Sequence, residues 1–328
     1  MAVSLRTITG MKTIDNLVTI DCNYVKSERA AAYLIISQGE TAFVDNNTPK
    51  AVPLLLDALK HAGHTPDSVK YLIVTHIHLD HAAGTAALLE ACPNAVVLAH
   101  PRAVRHLVDP TRLVKSAKQV YGKELFARLY GTVQAVPEER VRAVNDNEQI
   151  SLNGRTLVFL HTAGHARHHI TIFDETSKTA FTGDTFGVSH PRFMRGTRPF
   201  VLCSTAPTEF EPDKARESVK RILDIGAHRA ALTHFGILDN VPAAAPSLLR
   251  SIEDMAAILH EVAESPLEGE ALVALCEEKV RRAVHRQMED SGITATAEDA
   301  EWLAGDIRIN AAGIAYCATR MRNARTSS

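Results

Sequence analysis

Short apolar and β-branched runs alternate with helical patterns along roughly the first three quarters of the chain. Nine such runs predict strands, at residues 17–21, 31–37, 41–45, 71–74, 96–99, 156–160, 169–173, 179–183 and 229–233. The run 71–74 is continuously apolar, which is typical of a strand covered on both faces. Helical stripes follow Pro53 and Pro212, and proline suits the first turn of a helix. The alternation predicts an α/β fold.

Two segments depart from this rhythm. Residues 102–130 carry apolar positions at helical spacing and predict a helical insertion. From about residue 243 the pattern is purely helical, and Thr296 with Asp299 has the spacing of a capping box at a helix start. The sequence therefore predicts a domain over residues 1–242, with the insertion at about 102–130, followed by a helical region over 243–328.

Composition and charge narrow the possible functions. The 328 residues are 45% hydrophobic and 23% charged, which is typical of a globular protein with a sizeable core. A formal net charge of −2 gives no basic field to attract nucleic acid or an anionic membrane. The five cysteines form no C-x-x-C pair, which argues against a disulfide framework. Since no signal-peptide or membrane-span pattern is visible, we expect a cytoplasmic protein without membrane or nucleic-acid partners.

The densest group of chemically active side chains lies in residues 75–81. His76, His78, Asp80 and His81 follow directly after the apolar run 71–74. Alternate residues of an extended segment point the same way, so His76 and His78 can share one metal ion. The chain then turns, and Asp80 and His81 can reach a second ion. Imidazole and carboxylate ligands favour zinc, with iron or manganese as substitutes.

Three further candidate ligands lie at the ends of other predicted strands. His165 follows the run 156–160, Asp184 follows 179–183, and His234 follows 229–233. A single histidine or aspartate in such a place is commonly a turn residue. Its repetition at several strand ends predicts a shared metal centre.

The order H-x-H-x-D-H, G-H, G-D and a final histidine resembles the metallo-β-lactamase superfamily of the glyoxalase II type over about residues 15–240. The resemblance implies a four-layer αβ/βα sandwich with a C-terminal helical extension. It implies that a first metal ion is held by His76, His78 and His165. A second metal ion would be held by Asp80, His81 and His234, and Asp184 would bridge the two ions. Asp45 resembles the family's buried aspartate that orients a ligand histidine. The sequence departs from the family at Ala163, where proline is common, and it lacks a recognisable set of glutathione-binding residues.

Several functions fit this resemblance. The main one is a binuclear hydrolase of a small ester, thioester or lactone, in which a metal-bound hydroxide attacks a carbonyl and Asp80 orients it and receives its proton. The first alternative is a persulfide dioxygenase of the same fold with a single iron. A nuclease is a weaker alternative, because no RNA-clamping domain is visible and the net charge is close to neutral.

Other residues predict contacts around the metal centre. The loop after Asp184 carries His190, Arg192 and Arg195, and arginine forks suit an anionic group on a substrate. A solvated loop or a dimer contact is the alternative. The insertion 102–130 could equally cap the site or form the face of a homodimer. His168 and His169, close to His165, have either a strand-edge role or a role beside the metals.

Overall fold

The computed structural model describes residues 6–8, 11–205 and 208–326. They divide into two compact units. The first comprises Met1–His161, His168–Gly183 and Gly226–Asp239, and the second comprises Thr162–Arg167, Asp184–Ile225 and Asn240–Ser328.

The first unit contains a sheet whose strands lie side by side in chain order. They are β1 (Arg6–Ile8), β2 (Met11–Ile14), β3 (Leu17–Asp21), β4 (Ala31–Ser37), β5 (Glu40–Val44), β6 (Val69–Ile73), β7 (Val96–Ala99) and β8 (Val141–Ala143). Neighbours are antiparallel from β1 to β5 and parallel from β5 to β8. Apolar residues on one face of this sheet pack against three helices, namely α1 (Val52–His61), α3 (Thr85–Ala91) and α4 (Pro101–Val108).

A second sheet completes the first unit. Its strands are β9 (Gln149–Leu152), β10 (Arg155–His161), β11 (Ile170–Asp174), β12 (Thr179–Gly183), β13 (Arg229–Leu232) and β14 (Gly236–Asp239), paired in the order β14-β13-β12-β11-β10-β9. Only β12 and β13 pair in parallel. The turn Asn153-Gly154 joins β9 to β10 with φ values of 41° and 85°, a conformation that suits a tight hairpin. Apolar side chains from both sheets, such as Tyr33 and Phe181, share one core.

Three short helical elements shape the edge of this unit. The helix α2 (Leu79–Ala82) follows β6 closely, and α5 (Thr111–Tyr121) and α6 (Lys123–Tyr130) follow α4. Gly122 separates α5 from α6 with φ at 75°. Phe126 and Tyr130 of α6 are buried together with Leu79 of α2 in a small apolar cluster.

The second unit is helical. It contains α7 (Pro212–Asp224), α8 (Val241–Ala263), α9 (Gly269–Asp290) and α10 (Ala297–Thr326). The Gln287 side chain on α9 donates to the Ser247 carbonyl of α8 at 3.1 Å. At the start of α10, the Thr296 N–H donates to Asp299 at 2.9 Å and the Asp299 N–H donates to Thr296 Oγ1 at 3.2 Å. This reciprocal pair confirms the predicted capping box.

The predicted fold class is confirmed: two mixed sheets with helices, and further helices toward the C-terminus. Each of the nine predicted strands overlaps an observed one, and helices occupy most of residues 101–130. The sequence interpretation missed β1, β2, β8, β9 and β14. Within the described part of the chain, no helix has the length and apolar character needed to cross a membrane.

Candidate metal centre

The ligand-rich segment begins where β6 ends. The chain bends at Thr75, His78 has extended backbone angles, and α2 then carries Asp80 and His81. Nε2 of His76 lies 2.8 Å from Nδ1 of His78, so both rings direct a nitrogen to the same point. Ile77, which lies between them in the chain, is instead buried among apolar residues of the core.

Asp80, His81 and His234 form a compact cluster within the first unit. Each offers one ligand atom, and these atoms all lie within 4.8 Å of one another. Nε2 of His234 is 3.4 Å from an oxygen of Asp80. His81 is fully buried, whereas Asp80 and His234 keep some exposure, so the cluster is accessible from solvent on one side. Two imidazoles and a carboxylate at this spacing are a suitable donor set for a divalent cation.

Asp45 lies beneath this cluster and is almost completely buried. Its carboxylate accepts hydrogen bonds from the Thr75 N–H at 2.9 Å, from the Thr233 hydroxyl at 2.8 Å and from His81 Nδ1 at 2.8 Å. It therefore ties together residues 75–81 and the end of β13, two segments that carry candidate ligands. A buried carboxylate needs such donors to offset its desolvation.

The partners of the imidazole rings decide which nitrogen can bind a cation. Nδ1 of His234 lies 2.8 Å from the Arg29 carbonyl oxygen, and Nδ1 of His81 faces the Asp45 carboxylate. Carbonyl and carboxylate oxygens only accept, so Nδ1 carries the hydrogen in both rings. Nε2 then keeps its lone pair, which is the arrangement of a histidine that binds a metal through Nε2.

His165 and Asp184 lie together in the second unit. Nε2 of His165 is 3.5 Å from an Asp184 oxygen, and its Nδ1 is 3.2 Å from the Ser204 carbonyl oxygen. The Ser204 hydroxyl donates to Asp184 at 3.1 Å. Ser204 thus orients both candidate ligands, and His165 shows the same Nδ1-anchored pattern as His81 and His234.

Gly164 explains the chain path before His165. Its φ is 130°, and a Cβ at this position would lie 2.5 Å from the backbone N and Cα of Ala215 on α7. The Gly164 carbonyl also accepts the Glu211 N–H at 2.8 Å. Only glycine permits this close approach of the loop to α7.

More histidines surround His76 within the first unit. The rings of His169 and His168 lie 4.9 and 6.3 Å from the His76 ring. Farther along, the His100 and His161 rings are 4.2 Å apart. Burial, together with charge repulsion from His161, lowers the pKa of His100 to about 4. His100 is therefore neutral at physiological pH, and its Nδ1 accepts the Arg102 N–H at 2.9 Å as the cap of α4.

The basic loop after Asp184 is held by α10 within the second unit. Arg192 and Arg195 both donate to the buried Asp299 carboxylate, at 2.6 Å for Arg192 Nε. Nε2 of His190 lies 3.3 Å from an Asp306 oxygen. These arginines already have carboxylate partners, and their contact with an anionic substrate stays a prediction.

Sequence reasoning found the candidate ligands and missed most of the residues that orient them. Thr75 and Thr233 immediately precede the candidate ligands His76 and His234, and this position in the chain could have indicated their role. Nothing in the sequence indicated Ser204, since it lies 39 positions from His165 in the chain. The sequence interpretation placed Tyr130 in the insertion that could cap the site, but it had no signal for Tyr24, whose hydroxyl lies 3.1 Å from that of Tyr130 although 106 positions separate the two residues.

The fold and these clusters identify the class of protein. The sequence profile of the metallo-beta-lactamase superfamily matches residues 28–234, so the chain belongs to this superfamily. The matched range includes Asp45 and all seven candidate ligands.

Individual relatives are distant. The chain is 28% identical over 175 residues to the metallo-beta-lactamase fold-containing protein ST1585 of Sulfurisphaera tokodaii, covering 52% of this chain and 62% of that protein. It is 28% identical over 179 residues to a hydroxyacylglutathione hydrolase of Rhodopseudomonas palustris (54% and 56%). It is 24% identical over 183 residues to an N-acyl homoserine lactonase of Bacillus thuringiensis (56% and 61%). The chain thus spans about six-tenths of the length of these curated relatives.

Solved structures agree on the fold. The crystal structure of ST1585 from Sulfolobus tokodaii matches 92% of this chain and 99% of its own, with a TM-score of 0.64 and 21% identity. A metallo-beta-lactamase family protein of Thermus thermophilus, TTHA1429, matches 89% of this chain and 94% of its own, with a TM-score of 0.60 and 20% identity.

Proposed function

We propose that this protein is a binuclear metal-dependent hydrolase of a small ester, thioester or lactone. The observation that carries the proposal is the anchoring of three candidate ligands, His81, His165 and His234, through Nδ1, which makes Nε2 the candidate metal-binding nitrogen in each. We assign two divalent ions, with zinc favoured, to the seven ligands His76, His78, Asp80, His81, His165, Asp184 and His234. The glyoxalase II type is the subgroup we favour.

The chemistry divides between the ions and the chain. When bound, two divalent ions would lower the pKa of coordinated water and polarise a carbonyl group. Asp80 is the group of the cluster best placed to hold a proton, because its carboxylate is 24% exposed and lies 3.4 Å from His234. Asp45 keeps the His81 ring in one orientation, so that ring cannot rotate during the reaction.

The relatives support this class of reaction. Among the proteins to which the chain is similar, one is named a hydroxyacylglutathione hydrolase and another an N-acyl homoserine lactonase. Both names describe hydrolysis at a carbonyl group. No serine or cysteine nucleophile is required, and the cysteines Cys22, Cys92, Cys203, Cys276 and Cys317 are all buried.

The first experiment is elemental analysis of the purified protein by mass spectrometry. We expect about two equivalents of zinc in the wild-type protein and a large loss in His76→Ala. His285→Ala is the matched control, because His285 is exposed on α9 and distant in sequence from every candidate ligand. Equal metal content in all three proteins would contradict the assignment.

A substrate panel follows with the loaded protein. We expect hydrolysis of at least one class among neutral esters, thioesters and lactones, with activity lost together with metal in His76→Ala. About one equivalent of iron, with no hydrolysis, would replace the hydrolase by the persulfide dioxygenase.

A further inference from the structure

Three tyrosines from distant parts of the chain meet beside the ligand cluster of the first unit. Tyr24 lies in the loop between β3 and β4, Tyr121 ends α5, and Tyr130 ends α6. The Tyr24 and Tyr121 rings lie 6.3 and 5.7 Å from the Tyr130 ring, and the Tyr24 hydroxyl donates to the Tyr130 hydroxyl at 3.1 Å. Tyr130 is buried, whereas Tyr24 and Tyr121 are partly exposed.

Two short paths, each made of neighbouring residues in the chain and one non-covalent contact, connect these tyrosines to candidate ligands. Leu79 packs in the same apolar cluster as Phe126 and Tyr130, and the next residue in the chain is Asp80. The loop that carries Tyr24 ends at Arg29, whose carbonyl oxygen receives the Nδ1 hydrogen of His234. The tyrosines therefore border the Asp80–His81–His234 cluster from two directions.

The loop between β3 and β4 is held in one shape. The Asp21 carboxylate accepts hydrogen bonds from the Asn23 N–H at 2.9 Å, the Ser27 hydroxyl at 2.6 Å and the Glu28 N–H at 2.9 Å. Val25 at its tip is 73% exposed and has φ at 65°, which is rare for a β-branched residue. Next to Tyr24, the protein thus keeps an apolar side chain in solvent, on a backbone conformation that β-branched residues rarely adopt.

The phenol groups can act as donors. Burial raises the pKa of Tyr24, Tyr121 and Tyr130, and the negative charge of Asp80 raises each further. The Tyr24 hydroxyl donates to Tyr130, and a hydrogen bond from Tyr130 partly offsets the rise that burial causes in the pKa of Tyr121, so the Tyr130 hydrogen is directed to Tyr121. The hydroxyl hydrogen of Tyr121, which is partly exposed, can then be donated to an oxygen of a substrate. The nearby carboxylate disfavours an anionic group here.

We propose that Tyr24, Tyr121 and Tyr130, backed by Phe126 and Leu79, form a subsite for a neutral, apolar acyl substituent next to the Asp80–His81–His234 cluster. The three rings and Val25 cover the hydrocarbon chain of the substituent, and the linked hydroxyls position the substrate oxygen at the end of that chain. The inference rests on the proposed hydrolase function, since it names the substrate class of that same site.

Two measurements test the subsite. In the loaded protein, kcat/KM for p-nitrophenyl esters from acetate to octanoate should rise by about two- to fourfold per methylene, according to how completely the chain is buried. In the metal-free protein, calorimetry with 2-hexanone, 2-octanone and 2-decanone should show affinity rising by a similar factor. The ketone series needs no turnover, so it reports on the subsite alone.

Variants separate the rings from the hydroxyls. Tyr24→Phe and Tyr130→Phe keep the rings and should lower kcat/KM about three- to tenfold while preserving the dependence on chain length. Tyr121→Ala should flatten that dependence. Tyr316→Phe removes a hydroxyl from a side chain that is 48% exposed on α10 and serves as the matched control.

The outcomes distinguish the two proposals. Ester hydrolysis without dependence on chain length would overturn the subsite and leave the hydrolase intact. Ketone binding that strengthens with chain length, without hydrolysis of any ester, thioester or lactone, would support the subsite and overturn the hydrolase. If Tyr24→Phe and Tyr130→Phe have the same kcat/KM as Tyr316→Phe, the hydroxyls have no role in the subsite.

Discussion

The role of Asp45 leads to a specific expectation for Asp45→Asn. The carboxylate accepts hydrogen bonds from Thr75, Thr233 and His81, and an amide can accept on only one of its two polar atoms. If the amide oxygen keeps the Thr75 N–H, the amide NH2 faces Nδ1 of His81. That ring must then accept at Nδ1 and carry its hydrogen on Nε2, where it can no longer bind a metal ion.

The magnitude follows from the number of bonds that change. One or two charge-assisted hydrogen bonds are lost in a buried place, and each contributes about 1.5–3 kcal/mol, so the free energy of unfolding should fall by about 1.5–6 kcal/mol. Loss of such an orienting partner typically weakens metal binding by about 10- to 100-fold. We therefore expect both a less stable and a more weakly metallated protein.

Chelator competition and urea unfolding of the metal-free protein measure the two effects separately. The matched control is Asp174→Asn, because Asp174 is equally buried in the first unit but accepts from Arg155 at 2.9 Å, away from the ligands. It should lose stability and keep its metal affinity. A folded Asp45→Asn protein with wild-type metal affinity would refute the tautomer argument.

Three other predictions concern the framework. Gly164→Ala should lower the free energy of unfolding in urea by at least about 2 kcal/mol, because its Cβ would lie 2.5 Å from Ala215 backbone atoms, whereas Gly226→Ala, with φ at 78° and no atom within 4 Å, should cost about 1 kcal/mol. His100→Asn keeps an acceptor at the cap of α4 and removes a histidine whose pKa is lowered to about 4, so unfolding of the metal-free protein should show a smaller loss of stability between pH 7 and pH 5 than in wild type. Because the pKa of His100 is lower in the folded state than in the unfolded state, the loss of stability begins as the pH falls through about 6.5, where the unfolded histidine takes up a proton. An equal loss of stability in variant and wild type would contradict this role of His100. Burial would raise the pKa of Asp299, but its hydrogen bonds hold that pKa well below its usual range. Asp299→Asn should therefore lower the melting temperature at pH 7, and the difference in melting temperature between variant and wild type should narrow as the pH falls below about 4.

The strands that the sequence predicted and those that it missed differ in their place within the sheets. Central strands such as β4 and β6 are rich in apolar residues because neighbours cover them, and their runs stand out in the sequence. The missed strands β1, β8, β9 and β14 are the edges of the two sheets, and β2 adjoins β1. Edge strands are short and partly polar, as the exposed and buried alternation of β9 shows. Their pairing depends on the neighbouring strand more than on their own residues.

The candidate ligands were predictable because strand ends concentrate them in short motifs. His76, His78, Asp80 and His81 lie within six consecutive positions, and extended geometry alone implies that the first two converge. The orienting residues were not predictable in this way. Ser204 contacts Asp184 and His165, which lie 20 and 39 positions away in the chain, and no local pattern marks such contacts.

Substrate choice has to come from outside the ligand motifs. The chain is similar to proteins with different names, a hydroxyacylglutathione hydrolase and an N-acyl homoserine lactonase, over little more than half its length. The superfamily match over residues 28–234 includes every candidate ligand, so these ligands indicate the class of reaction. Tyr24 lies before that range, and Tyr121 and Tyr130 lie on the helices that interrupt the strand pattern. Changes at these tyrosines should therefore alter the preference among esters and leave the metal content unchanged, whereas changes at His76 should alter both.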